Sequence, residues 1–523
     1  MVNPDSILKV ENPDCALFRL TERFGPDAPL KRIFQLVLAQ GCRTILVEKD
    51  YEEEEWTHEY EVFYSKLFKK YPEKAERLHF FAADIREEEL NSLSKHQTAY
   101  LGFCVLRPLR EQRVVHAIIK PADDLNSPPR SFLLCQELFS VEIQSPDGKR
   151  HMFEVNGFPF MQQDGQVGCC AHAALIMADR FLVNRRNRQT GSKDKPHLLK
   201  EIGTFLSVVP GAGRKLPTKG LRPVDTSEAL GRMGYSPLVY EYRKGEEAPF
   251  PSEHIVYHYV ESRIPVQLVI PTATGRHVLT VIGHSFDPDV WWALAHEPYY
   301  DRKPSGGNYH CSTTWIGSFI VQDDNFGPYL TVPKEYIWPY QESGQLVLAV
   351  PLPPNINMEA ESAESSANYF LTSEVNPEAI FSAHQNGEIS DETSSWFERM
   401  CAHYLRNDLV LRTCLLDSAR FKAECVPPHL KPYYEPLKLW EKVWVTEISI
   451  PELFCQRRLR LGEILIDPTA TAPFASMTPS YLAVHVPGFI KIREAETENV
   501  QEKYIRNDEP YTHIIRTQQS ISS

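Results

Sequence analysis

The stretch that decides how this chain is read is residues 162–183, "QQDGQVGCCAHAALIMADRFLV". Glutamines and glycines lead through two adjacent cysteines into small and apolar residues. The run 171–183 predicts a helix buried on most of its surface. Gly168 permits a sharp turn, so Cys169 would stand among the first helical residues, with Cys170 beside it. A helix start offers unpaired backbone N–H groups and positive partial charge, and both lower the pKa of a thiol. The plainer alternative is a loop feeding a buried helix, because free cysteine is among the most buried residue types and is usually inert.

A thiolate nucleophile needs a base, an orienting group and donors for an oxyanion. Gln163 and Gln166 lie just upstream and offer side-chain amides. Downstream, "ATGRHVLTVIGHSFD" (273–287) places His277 at the mouth of an apolar strand and His284 at its far end. An exposed strand-end histidine would look the same. "FIVQDDNFGPY" (319–329) offers Asp323, Asp324 and Asn325 where another strand runs into a turn, a place that favours these residues anyway.

In this order the pieces resemble a papain-like cysteine peptidase domain over about residues 158–338, closest in flavour to the bacteriocin-leader (double-glycine) processing branch. Gln163 lies six residues before Cys169, the family's spacing from oxyanion glutamine to nucleophile. The cysteine opens a helix of small residues. His277 is followed by five mostly apolar residues and Gly283, and the next strand ends at Asp323, where the family has Asn or Asp. The pattern Cys-x-x-Ala-Ala-Leu-x-Met fits Cys170 instead. Spacing leans slightly to Cys169, and both stay open, as does Asp324 in place of Asp323.

The resemblance implies an α+β fold with a helix packed on an antiparallel sheet. It also implies thiol-dependent hydrolysis of a peptide or isopeptide bond in a peptide or protein substrate. His277 would deprotonate the cysteine, Asp323 would orient the imidazole, and Gln163 would hold the oxyanion. No metal or organic cofactor is implied. Acyl transfer on the same fold is an alternative, and so is an inactive papain-like interaction protein. Two departures stand out: Cys169 to His277 is 108 residues and His277 to Asp323 is 46. Residues 286–316, with Trp291, Trp292 and Trp315, look like an insertion that could cover the cleft or fill a satellite core. His172, one turn into the helix, reads as a packed core histidine.

The rest of the chain bounds these readings. Its 523 residues suggest about two to four domains. A net charge of −13 argues against general nucleic-acid binding and against docking on anionic lipid. Eleven scattered cysteines without a Cys-x-x-Cys pair argue against a disulfide framework or a zinc site. An adjacent pair such as Cys169–Cys170 does not easily form a relaxed disulfide. No apolar h-region opens the chain, and no apolar run nears the ~18 residues of a spanning helix. The expectation is a soluble, cytoplasmic protein.

Composition divides the chain into an N-terminal α/β region (1–150), the papain-like domain (151–352), a Pro/Ser/Glu-rich linker (353–368) and a C-terminal α+β domain (369–523). Residues 61–78 and 393–425 read as helices. The acidic run "EKDYEEEEWTHEYE" (48–61) reads as a solvated helix face. "VPGAGRKLPTKG" (209–220) lacks phosphate-loop spacing and reads as a cleft-edge loop. The tail beyond about 494 reads as loose.

Overall fold

The computed structural model describes residues 2, 4–11, 13–127, 130–207, 220–245, 250–273, 275–288, 309–470, 479–494, 499–506 and 509–516. Helices and antiparallel sheets both contribute, so the fold is α+β. The chain forms two compact units. One comprises 1–244, 264–283 and 319–352; the other comprises 245–263, 284–318 and 353–523. These units cut across the boundary expected at 150. They also assign two segments of the expected central domain, 245–263 and 284–318, to the C-terminal unit.

The first unit holds a five-stranded antiparallel sheet in sequence order: Ile7–Lys9, Thr44–Tyr51, Ala75–Phe81, Tyr100–Leu106 and Val114–Ile119. A second sheet runs Gly327–Pro333, Ser318–Asp323, Gly275–Ser285, Val266–Thr272, Val347–Leu352 and Ser236–Glu241. Between them lies the helix Cys170–Thr190, buried on every face from Ala171 to Val183. One apolar cluster joins its Leu175 and Phe181 to Phe34 and Phe80 on one side and to Val278, Ile282 and Ile320 on the other. That two-sided burial explains why 171–183 carries no polar stripe.

The strand Gly275–Ser285 pairs antiparallel with Val266–Thr272, placing His277 opposite Ile270. Gly275, which opens this strand, has φ of 152°, a conformation that suits glycine. From His277 onward this strand is buried on both faces until Ser285.

The second unit is built on a sheet ordered Tyr309–Cys311, Leu409–Asp417, Lys442–Ser449, Gly462–Ile466, Tyr481–Val486, Phe489–Arg493 and Val500–Tyr504. Its first pair is parallel and the rest are antiparallel. The tail thus contributes an edge strand.

Several expectations need correction. Residues 353–368 are no linker: Ala360–Ser373 is a helix that buries Ala360, Ala363, Ala367 and Phe370. Their spacing of three, four and three is helical, but small side chains among serines and glutamates hide it from a composition reading. The helix expected at 61–78 is replaced by a helix that ends earlier, Glu54–Val62, and the strand Ala75–Phe81. Likewise 393–425 divides into the helix Asp391–Leu405 and the strand Leu409–Asp417, with Asn407 at φ 60° between them. The acidic run is not fully solvated. Glu55 and Glu59 are completely buried, paired with Arg180 and Arg107. Among the described residues no helix is long and apolar enough to cross a membrane.

Candidate active site

The turn before the long helix is tied by Asp164. Its buried carboxylate accepts the N–H groups of Val167 (3.0 Å) and Gly168 (2.7 Å), and the Gly165 N–H donates to the Gly168 carbonyl. Gly165 takes φ of 71° to allow this. The preceding Gln162 is clamped on three sides: its side chain bonds Val114 N and Asp27 Oδ1, and its carbonyl accepts from Arg107. Gln163 is left to face outward. The chain then enters the helix with Cys169 as the extended N-cap (φ −122°, ψ 176°) and Cys170 as the first helical residue.

The two thiols face different partners. Cys169 Sγ lies 3.0 Å from His172 Nδ1, and the Cys169 N–H donates to the same nitrogen at 3.2 Å. The spacing Cys-x-x-His acts like a capping box, one turn apart. Cys170 Sγ instead reaches the Arg276 carbonyl at 3.9 Å, on the strand that carries His277. A hydrogen bond from the Cys170 thiol holds Cys169 well below the usual thiol range; burial opposes it and His172 assists it. The same bond, together with burial, pushes Cys170 up.

His277 is 9% exposed. Its Nε2–H donates to Asp323 Oδ1 at 2.9 Å, because a carboxylate can only accept. Nδ1 is therefore the basic nitrogen, and the Asn325 amide donates to it at 3.3 Å. The Asn325 carbonyl oxygen in turn accepts from Gln163 Nε2 at 3.2 Å. Burial alone would lower the pKa of His277, but the hydrogen bond to Asp323 and the charges of Asp323 and Asp324 raise it overall. Asp324 is 1% exposed, and its Oδ1 lies 3.7 Å from His277 Nδ1. Burial pushes its pKa up to about 7, against the pull of His277.

A cleft of about 670 Å³ opens over these groups, lined by Gln163, Cys169, Cys170, Arg276, His277 and Asn325 among others. No family model matches the chain, nor does any curated protein or solved structure. The reading of the site therefore rests on its geometry.

The structure brings Gln163, Cys169, Cys170 and His277 to one cleft, with Asp323 behind the imidazole. Neither thiol hydrogen-bonds to the His277 ring. Gln166 does not line the cleft. His284 turns away and pairs with Glu261 at 2.8 Å in the second unit. Trp315 is fully buried against Phe454 in that unit, while Trp291 and Trp292 lie outside the described residues. Of 209–220 only Gly220 is described, and it lines the cleft.

His172, expected as a packed or hydrogen-bonded core histidine, is 1% exposed and bonds Cys169 three residues before it. Asn325, offered by the sequence beside Asp323 and Asp324 as a group to orient the imidazole, links Gln163 to His277. His277, Asp323 and Asp324 place potential ligand atoms within 4.8 Å of one another. The two carboxylates, however, stand at opposite ring nitrogens, an arrangement that polarises an imidazole rather than ligating an ion.

Proposed function

We propose that this chain is a thiol-dependent hydrolase with a papain-like central region, cleaving a peptide or isopeptide bond in a peptide or protein substrate. The observation that carries this reading is His277. One ring nitrogen is fixed by Asp323, and the basic nitrogen belongs to a cleft that also holds two thiols at a helix N-terminus.

Spacing in the sequence leans to Cys169 as nucleophile; geometry supports Cys170. Its Sγ lies against the strand that carries His277. As the first helical residue, its N–H has no intrahelical acceptor and can serve an oxyanion, whereas the Cys169 N–H is engaged by His172. The resting thiolate character sits on Cys169. Cys170 keeps its proton, and that proton passes to His277 Nδ1 as sulfur attacks the carbonyl carbon. For this the Asn325 amide must move off Nδ1. Gln163 and the Cys170 N–H stabilise the oxyanion, His277 returns the proton to the leaving amine, and water resolves the thioester.

The test is labelling by an electrophilic thiol probe near neutral pH, with the labelled peptide mapped in wild type, Cys169→Ala, Cys170→Ala, His172→Ala and His277→Ala. Cys170 should label far faster than the other cysteines and lose that advantage in His277→Ala. Fast labelling of Cys169 that depends on His172 moves the nucleophile to Cys169. If no cysteine stands out, the hydrolase reading fails.

A further inference from the structure

The second unit contains another cysteine–histidine–carboxylate group with a different geometry. His258 on the helix Ser252–Glu261, Cys311 on the strand Tyr309–Cys311 and Glu364 on the helix Ala360–Ser373 are all buried, at 0%, 2% and 0% exposure. His258 Nε2 lies 2.9 Å from Glu364 Oε2 and 3.8 Å from Cys311 Sγ. In a catalytic triad the thiol and the carboxylate occupy opposite ring nitrogens. Here both converge on Nε2, as ligands converge on a metal ion.

We propose that His258, Cys311 and Glu364 form a structural zinc site. Thiolate, imidazole and carboxylate are the donors zinc takes. Tetrahedral zinc, with bonds of about 2.0–2.3 Å, sets sulfur and nitrogen ligands about 3.6 Å apart and nitrogen and oxygen ligands about 3.4 Å apart. The observed 3.8 Å needs almost no adjustment, and the 2.9 Å needs to open by about half an ångström.

A second observation points to a ligand. Glu364 Oε2 accepts from Thr413 Oγ1 at 3.0 Å, but Glu364 Oε1 is buried with no hydrogen-bond partner among the described residues. A bare carboxylate oxygen in the interior is costly, and a cation removes that cost. Zinc binding displaces the thiol proton and the proton shared by His258 and Glu364. Two anionic ligands and one neutral ligand then leave the buried centre neutral. A water or the hydroxyl of the nearby buried Tyr309 completes the coordination.

The placement also gives the site a purpose. The second unit is assembled from three separated segments, 245–263, 284–318 and 353–523, and each supplies one ligand. A single ion would staple all three.

The experiment is metal analysis of the full-length protein by mass spectrometry after expression with zinc. It is paired with cobalt substitution to look for the thiolate-to-cobalt charge-transfer band. Wild type should carry one zinc per chain and show the band. Cys311→Ser should lose the band, with zinc affinity falling further than the ~10–100-fold that loss of an outer partner costs. Thr413→Val keeps every ligand and should retain the band with affinity down by about 10–100-fold. The Cys169→Ala/Cys170→Ala double variant should keep its zinc, which separates this site from the cleft. Wild type without stoichiometric metal, or a cobalt band indifferent to Cys311→Ser, overturns the proposal and leaves a buried ion pair beside a thiol.

Discussion

At His277 the two ring nitrogens face two different carboxylates, and the difference has consequences for pH. Asp323 and Asp324 both favour the imidazolium. The acid limb of the labelling-rate profile, along which His277 loses its proton and becomes able to take that of Cys170, should therefore lie above the ordinary histidine value, and Asp324→Asn should move it down. Asp324 acts on stability with the opposite sign to a paired carboxylate. Its folded pKa, about 7, is above the unfolded value of 3.8, so its contribution is complete below 3.8 and is lost as pH rises through 7. Thermal unfolding between pH 5 and pH 8 should show wild type losing more stability than Asp324→Asn. Equal slopes would remove Asp324 from the account.

Gln163 gives a sharper test at the same scale. With an activated ester as surrogate substrate, Gln163→Ala should lower kcat by about 10²–10³, the cost of losing one oxyanion donor. An unchanged kcat would mean that its bond to Asn325 is its whole role. That Cys169, Cys170, His277 and Gln163 share one cleft with Asp323 behind the imidazole was legible from residue type and order at motif spacing. The orientation of each thiol was not, since it depends on which neighbour the first helical turn meets.

Among the elements, the helix Glu54–Val62 carries a buried ion pair to a residue far beyond its own turn. Glu59 receives two hydrogen bonds from Arg107, at 2.6 and 2.7 Å, and Arg107 also holds the carbonyl of Gln162, next to Gln163. Glu59→Ala strands a fully buried guanidinium, and chemical denaturation should show a loss of about 3–5 kcal/mol. A loss below ~1 kcal/mol would mean that water reaches Arg107. Nothing in "EEEEWTHEYE" reveals this pairing, because Arg107 lies 48 residues away and long-range partners leave no local period. The helix Cys170–Thr190 was legible for the opposite reason: its signal, an apolar run opened by glycine and cysteine, is entirely local.

For the molecule as a whole, the central question is whether residues 151–352, which the sequence sets off as a domain, can stand alone. Composition changes near 150 suggest that it can, but the core argues otherwise. Leu175 and Phe181 of the helix Cys170–Thr190 share one apolar cluster with Leu30, Ile33, Phe34, Leu78 and Phe80. Truncation before 151 exposes that face of the helix and also removes Arg107, which pins Gln162. Fully burying one large apolar side chain contributes about 1.5–3 kcal/mol, so losing several such contacts is comparable to the ~5–15 kcal/mol stability of a typical domain. A fragment of residues 151–352 should therefore show little cooperative unfolding by circular dichroism and no preferential thiol labelling, while full-length protein shows both. A fragment that melts cooperatively and labels at Cys170 would restore the boundary at 150 and make the N-terminal sheet an accessory to the catalytic core.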